Sequence, residues 1–289
     1  MTNGELIKKL RQERGMSQLQ LSRDISSRTT LSSFENNKSR VASDILFKYL
    51  KRMNVTVQEY TFYLNNSTQT EKEQALQYFQ ENIYQERDFE IQKRILNFQA
   101  KYKDYNDFFF CCLSIELKLF LNKSHEKPVF DVDEDIGLIK NYLEGIQQWG
   151  HFEMFLFSNC LQIFSSEYIR ATFNTLFRKT KILSQIDTYK SDLAIFLNNC
   201  IVLSFERKDF QNARFYIQQL NSVSQDTPRK MYDKLMSNYY LELLKHLITR
   251  NSMVTSVINQ FEMMGFDEHA DRLSEFKDRM EYEVNGMIS

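Results

Sequence analysis

The stretch Ser17–Lys38, SQLQLSRDISSRTTLSSFENNK, carries two helix starts and a tight connection. Ser17 followed three residues later by Gln20 is a capping box, in which two otherwise unpaired backbone donors are satisfied reciprocally, and it opens a helix with Leu21 and Ile25 on its apolar face. Ser27 is the next cap. It starts a helix with Leu31 and Phe34 inside and Arg28, Thr29, Ser32 and Ser33 outside, so the stretch reads as helix, turn, helix. That outer face is too polar for a core. It is well stocked for a nucleic-acid groove, because arginine pairs bidentately with guanine while serine and threonine bond base edges or phosphates. The turn, Ile25-Ser26-Ser27, holds no glycine, and Asn37 stands past the second helix, where a residue tolerant of left-handed backbone is wanted.

Working outward, Leu6 and Leu10 give a first helix its inward stripe, with Lys8, Arg11 and Arg14 as candidate phosphate contacts or a solvated face. Lys38 and Arg40 sit in the loop after the groove-facing helix. Ser43 reads as the cap of a fourth helix with Ile45, Leu46, Tyr49, Leu50 and Met53 buried, and Thr56 with Glu59 as a capping box for a fifth carrying Val57, Tyr60 and Leu64. These five helices make a small domain over residues 1–65. Residues 66–70 are a short polar linker, and Thr70 with Glu73 restarts a helix that opens a larger domain over 71–289.

Charge separates the two parts. Residues 1–65 hold 11 Lys and Arg against 6 Asp and Glu, a balance of +5, within a chain whose net charge is -1. The remainder therefore carries -6. A basic head on an acidic body suits a head that neutralises phosphates and releases their counterions. Only 7 glycines and 2 prolines occur, against roughly 20 and 14 in an average chain of this length. That shortage of turn residues points to an all-α fold.

From residue 71 onward the apolar spacing is helical, over approximately 71–85, 88–102, 105–121, 134–149, 151–164, 166–183, 188–206, 209–222, 228–247, 251–264 and 267–284. A repeat organises them. Phe155–Cys160 (FLFSNC), Ile195–Cys200 (IFLNNC) and Lys234–Tyr239 (KLMSNY) align, with Asn159 to Asn199 spanning 40 positions and Asn199 to Asn238 spanning 39. A period near 40 means helical hairpins stacked into a right-handed superhelical solenoid. Asp209–Leu220, DFQNARFYIQQL, looks like the second helix of a tetratricopeptide repeat, with Ala213 where helices approach closely.

An asparagine side chain offers both a donor and an acceptor, so Asn159, Asn199 and Asn238 suit the N–H and C=O groups of an extended peptide. With helices about 10 Å apart the row spans roughly 20 Å, which matches a short peptide of about six to nine residues. The other reading is that the three asparagines bond neighbouring helices and hold the stack together. Phe155, one turn before Asn159, is a candidate for an apolar pocket, whereas Phe108–Phe110 read as core.

The head resembles the XRE family of lambda repressor and Cro through Ser17-Gln18, Leu21, Thr29-Thr30-Leu31-Ser32 and Glu35. That resemblance implies DNA contacts from Gln18, Arg28, Thr29, Ser32, Ser33 and Lys38, with Arg11 and Arg14 at phosphates. An XRE-like head, a short linker and an all-helical repeat body, with Trp149–Cys160 (WGHFEMFLFSNC) and the asparagine period, resembles the Rgg family of Gram-positive regulators. The family implies a homodimer that binds double-stranded promoter DNA and is switched by a short peptide pheromone, that is, quorum sensing. A helix-turn-helix regulator controlled by a protein partner on the solenoid is the alternative.

Other chemistry finds little footing. Asp131, Asp133 and Asp135 imitate a calcium loop, but Ile136 occupies its glycine position and Tyr142 its final glutamate, so no metal or cofactor is expected. Acidic residues there suit the start of a helix. Cys111, Cys112, Cys160 and Cys200 lack CxxC spacing and read as buried free thiols. No catalytic signature appears among the four histidines or elsewhere. Without a signal segment or a run of about 18 apolar residues, the expected location is a reducing cytoplasm, away from membranes.

Overall fold

The computed structural model describes residues 1–81, 86–183, 187–224 and 230–286, and all regular structure among them is helical. The chain divides into two compact units, Met1–Arg87 and Asp88–Ser289. The polar stretch 66–70 falls inside the first unit, where Asn66 and Ser67 both take left-handed backbone.

In the first unit, α1 (Asn3–Glu13), α2 (Gln18–Ser22), α3 (Arg28–Glu35), α4 (Ser43–Arg52) and α5 (Val57–Leu64) enclose a core of Leu6, Ile7, Leu10, Leu21, Leu31, Phe34, Tyr49, Leu50 and Tyr60. The Ser17–Gln20 and Thr56–Glu59 capping boxes are formed, as is the Thr70–Glu73 pair that opens α6 (Glu71–Glu81). Ser27 caps α3 by accepting from the Thr30 N–H at 3.0 Å. Ser43 departs from its expected role. It is the first helical residue, and Ala42 occupies the cap without a side-chain bond.

The turn also differs from its sequence reading. The second helix stops at Ser22, so Ile25 lies in the turn, half-buried against the core, rather than on the helix face. Asp24 takes φ +59° and supplies the left-handed residue for which the sequence holds no glycine. Arg52 of α4 donates to the carbonyls of Gln20, Leu21 and Arg23, pairing the groups that an ending helix leaves free. Asn37 adopts φ +58°, as its position after α3 requires.

The second unit comprises α7 (Asp88–Tyr105), α8 (Phe108–Ser124), α9 (Asp133–Gly145), α10 (His151–Asn159), α11 (Ser166–Leu183), α12 (Asp187–Glu206), α13 (Phe210–Ser224), α14 (Met231–Thr249), α15 (Val254–Met263) and α16 (Asp267–Asn285). Neighbours pack in the succession α7 on α8, α12 on α13, α13 on α14, α14 on α15 and α15 on α16, while α10 lies directly against α12. Ala213 is fully buried on α13, where α12 approaches. Residues 82–85 and 228–229, the ends of two expected helices, lie outside the described residues.

Two expected helices end early, and side chains, one from six residues on and one from a distant helix, pair carbonyls at their ends. The 134–149 segment stops at Gly145, where Trp149 donates its indole N–H to the Leu143 carbonyl at 3.2 Å. The 151–164 segment breaks after Asn159 into a short 3-10 turn at Leu161–Ile163. There Arg207 of α12 donates to the carbonyls of Gln162 and Phe164 at 3.2 and 2.8 Å. The core of this unit is aromatic at its centre, with Phe157 stacked on Phe196 at 5.6 Å and Phe196 on Phe173 at 6.1 Å.

Asp131 works at the start of α9, whereas Asp135 ties α9 to α8. Asp131 accepts from the Asp133 N–H at 3.2 Å, and Asp135 pairs with Lys118 at 2.6 Å. All four cysteines are free and buried. Burial raises the thiols of Cys112, Cys160 and Cys200 above their ordinary range, which keeps them protonated and unreactive.

Candidate DNA and ligand interfaces

Helix α3 divides cleanly. Leu31, Phe34 and Glu35 face inward, and Arg28, Thr29, Ser32 and Ser33 form the outer stripe, the arginine and threonine exposed and the serines half-buried. Lys38 and Arg40 follow in the loop, exposed. Asn36 extends the same stripe by one turn, is exposed, and donates to the Ser32 carbonyl at 2.8 Å. The sequence reading missed it, although its spacing of four from Ser32 and eight from Arg28 was a usable signal. Lys8 of α1 reaches the Asn36 side-chain oxygen at 3.3 Å.

Arg11 is drawn into the core away from this surface, whereas Arg14 stays exposed with its guanidinium on backbone carbonyls. Arg11 is buried and grips Glu35 in a fork, Nε to Oε1 at 2.6 Å and Nη2 to Oε2 at 2.9 Å, while Nη1 donates to the Met16 carbonyl. The Glu35 side chain is wholly inaccessible. Such a carboxylate needs a charged, bidentate partner nearby, and Arg11 is that partner. Arg14 donates to the carbonyls of Met53 and Leu10, at 2.8 and 3.1 Å, and so fastens α1 to the end of α4. Gln18 is half-buried and donates its amide to Glu35 at 2.8 Å, so the donor half of its side chain faces α3 rather than solvent.

In the second unit, the asparagine period places its residues on α10, α12 and α14. Two of them are brought together. Asn199 donates its amide to the Ser158 carbonyl at 3.1 Å, next to Asn159, and Asn159 donates to Glu116 of α8 at 3.2 Å. Asn238 is half-buried on α14 and is joined to neither. Asn159 and Asn199 thus each spend one amide N–H inside the protein, as the stack-holding reading expects, and each keeps a second N–H and the side-chain oxygen. Phe155 is half-buried one turn before Asn159.

The same two helices are tied at their other ends. His151, the first residue of α10, bonds both carboxylate oxygens of Asp192 on α12 through Nδ1, at 2.9 and 2.8 Å. That contact raises the imidazole above its ordinary range against the opposing effect of burial. Asp192 itself is buried, so the pair ties α10 to α12 seven to eight residues before the asparagines.

Residues 92–275 match the family profile described as HTH-type transcriptional regulator Rgg, C-terminal domain. The chain belongs to the Rgg family. Residues 7–60 match the helix-turn-helix profile, which coincides with α1 to α5. Among solved structures, this Rgg-family chain is similar to a Listeria monocytogenes EGD-e protein assigned to the transcriptional regulators, with a TM-score of 0.81 and 18% identity over 98% of both chains. It is similar to the Streptococcus dysgalactiae SHP pheromone receptor Rgg2, with a TM-score of 0.69 and 20% identity over 96% of this chain and 99% of that one. PrgX in its complex with cCF10 gives 0.67 and 17% over 96% and 92%. At these identities the likeness establishes a shared fold, a helix-turn-helix followed by a helical repeat domain. No helix among the described residues is long and apolar enough to cross a membrane.

Proposed function

We propose that this regulator reads promoter DNA through the outer stripe of α3 and is controlled by a short extended peptide held across α10, α12 and α14. The observation that carries the ligand half is the adjacency of Asn159 and Asn199. They stand on two directly packed helices, half-buried, with side-chain oxygens unclaimed by the protein among the described residues. Similar folds include a pheromone receptor and a bacterial peptide pheromone/receptor complex, which supports the same reading. Stretch 66–70 serves as the linker after the reading head, and the protein acts in the cytoplasm as a homodimer whose two heads meet half-sites about one or more helical turns apart.

On the DNA, Arg28 is assigned to base edges, Thr29, Ser32, Ser33 and Asn36 to base edges or phosphates, and Lys38 to phosphate. Arg28→Ala is expected to relax preference at one position of the operator, at a cost of about 1–3 kcal/mol. Lys38→Ala should instead weaken all sequences alike and reduce the salt slope by about one. Titration of operator and scrambled duplex at two salt concentrations checks both, and an unchanged preference in Arg28→Ala would remove it from the base-reading set.

The ligand half is tested by fluorescence anisotropy against a pool of extended, apolar-rich octapeptides, with a folded Asn159→Ala, Asn199→Ala, Asn238→Ala triple variant as control. Micromolar binding that disappears in the variant supports the receptor reading. Binding only by a protein from the cytoplasm, with none by peptides, would replace it with a protein partner on the repeat domain.

A further inference from the structure

Glu116 on α8 is 3% exposed and lies within an apolar helix. Its Oε2 accepts from the Asn159 amide at 3.2 Å, and its Oε1 has no partner among the described residues. Burial lifts this carboxyl well above the usual range, and the bond from Asn159 opposes that lift. Leucine or methionine would fill the same space without desolvating a polar group or orphaning an oxygen. Packing therefore does not account for a glutamate here, and its single bond points to Asn159.

On the opposite side of that bond, the amide orientation is set. The Ser158 carbonyl can only accept, so Asn199 must present an N–H to it, which leaves its Oδ1 as an acceptor outside that bond. Asn198 is turned the same way, donating to the Ala194 carbonyl at 2.8 Å. Asn159 and Asn199 are half-buried, and among the described residues neither Oδ1 is engaged by the protein in these two bonds. We propose that this row reads its ligand through the ligand's N–H groups, and that Glu116 is the positioning residue that holds the Asn159 amide for that purpose. The proposal rests on the peptide-receptor reading and narrows it. Backbone N–H groups on one edge of an extended peptide meet the row, while a proline nitrogen at a reading position cannot.

The test uses an octapeptide selected from the pool, a series of its analogues in which each backbone N–H is replaced in turn by an ester oxygen, and the full-length variants Glu116→Leu, Glu116→Gln and Asn159→Ala. Glu116→Leu is expected to lose affinity about tenfold, as Asn159→Ala does, while melting no lower than the wild type. Glu116→Gln keeps a carbonyl oxygen for the Asn159 amide and is expected to stay within about threefold of wild type. At least one ester should lose about tenfold on the wild type and little further on Asn159→Ala. Unchanged affinity with a lower melting temperature in Glu116→Leu would make Glu116 a mere staple between α8 and α10, and an ester series without loss would remove the N–H reading. If the wild type binds no peptide, the receptor reading fails by itself, and side-chain amide NMR decides the role of Glu116. Asn159 amide protons that shift and exchange faster in Glu116→Leu but not in Glu116→Gln uphold positioning; signals identical in all three discard it.

Discussion

Glu35→Ala is expected to lower the stability of the first unit by about 3–5 kcal/mol. A folded unit of this size commands only about 5–10 kcal/mol in total. The cause is the fate of what remains. Removing the carboxylate leaves the buried Arg11 guanidinium without its two charge-assisted bonds, at 2.6 and 2.9 Å, and leaves the Gln18 amide without its acceptor. Calorimetry of the full chain should show a separate, lowered transition for the first unit, with the transition of the repeat unit unmoved. DNA binding should fall with the folded fraction. The paired substitution Arg11→Met with Glu35→Leu should recover most of the loss, because the two desolvation penalties vanish together, leaving about 1 kcal/mol each for the unpartnered Gln18 amide and Met16 carbonyl. A Glu35→Ala protein that melts as the wild type does would refute this account of how α1, α2 and α3 are held.

Gly4→Ala is the second large effect, and its sign is informative. An exposed helical glycine replaced by alanine gains about 1 kcal/mol. Here a Cβ on Gly4 would stand 2.0 Å from the Phe34 carbonyl oxygen and 3.0 Å from both the Phe34 carbonyl carbon and the Asn37 side-chain oxygen. The obstacle is backbone, so no rotamer change relieves it. The same corner is laced by bonds from Thr2 to Asn37 at 2.6 Å and from Asn37 to Glu5 at 3.2 Å, which dock the start of α1 on the end of α3. We expect a loss of about 2–4 kcal/mol, as overpacking forces α1 away from α3. Operator affinity should fall with it, since α3 carries the reading stripe. Thermal denaturation of the variant checks the sign, and a rise in melting temperature would show that the close approach does not exist in solution.

Gly4 also marks where sequence reading stopped. Its role depends on α1 crossing the end of α3, which joins residues about thirty positions apart, and no local pattern records such a crossing. The Arg11 misassignment has the same origin. A basic residue on an amphipathic helix looks like a phosphate contact until the fold places a buried carboxylate beside it, and Glu35 lies 24 positions away. The turn was misread in detail because Asp24 is an uncommon carrier of left-handed backbone. Arg52, which pairs the carbonyls there, is almost thirty residues downstream.

The asparagine row shows the boundary within a single feature. Its period was plain, since a repeat with similar hairpins must return equivalent residues at equal intervals. Its chemistry was half hidden. Whether an amide offers its donor, its acceptor or both depends on which groups the adjacent helices bring to it, here the Ser158 carbonyl and the Glu116 carboxyl. Glu116 itself sat unremarked within Phe108–Ser124, because a single acid in an apolar run carries no periodic signal.

What the sequence by itself determined was therefore local and periodic: the all-helical class, the capping boxes, the inner and outer faces of α3, and the repeat. Capping and amphipathicity act over three or four residues, and repetition compares a chain with itself, so each is written in the order of the residues. What only the tertiary structure decided was which polar groups are still available. Availability is settled by partners that arrive from distant positions, and a buried polar group must find one wherever the fold supplies it.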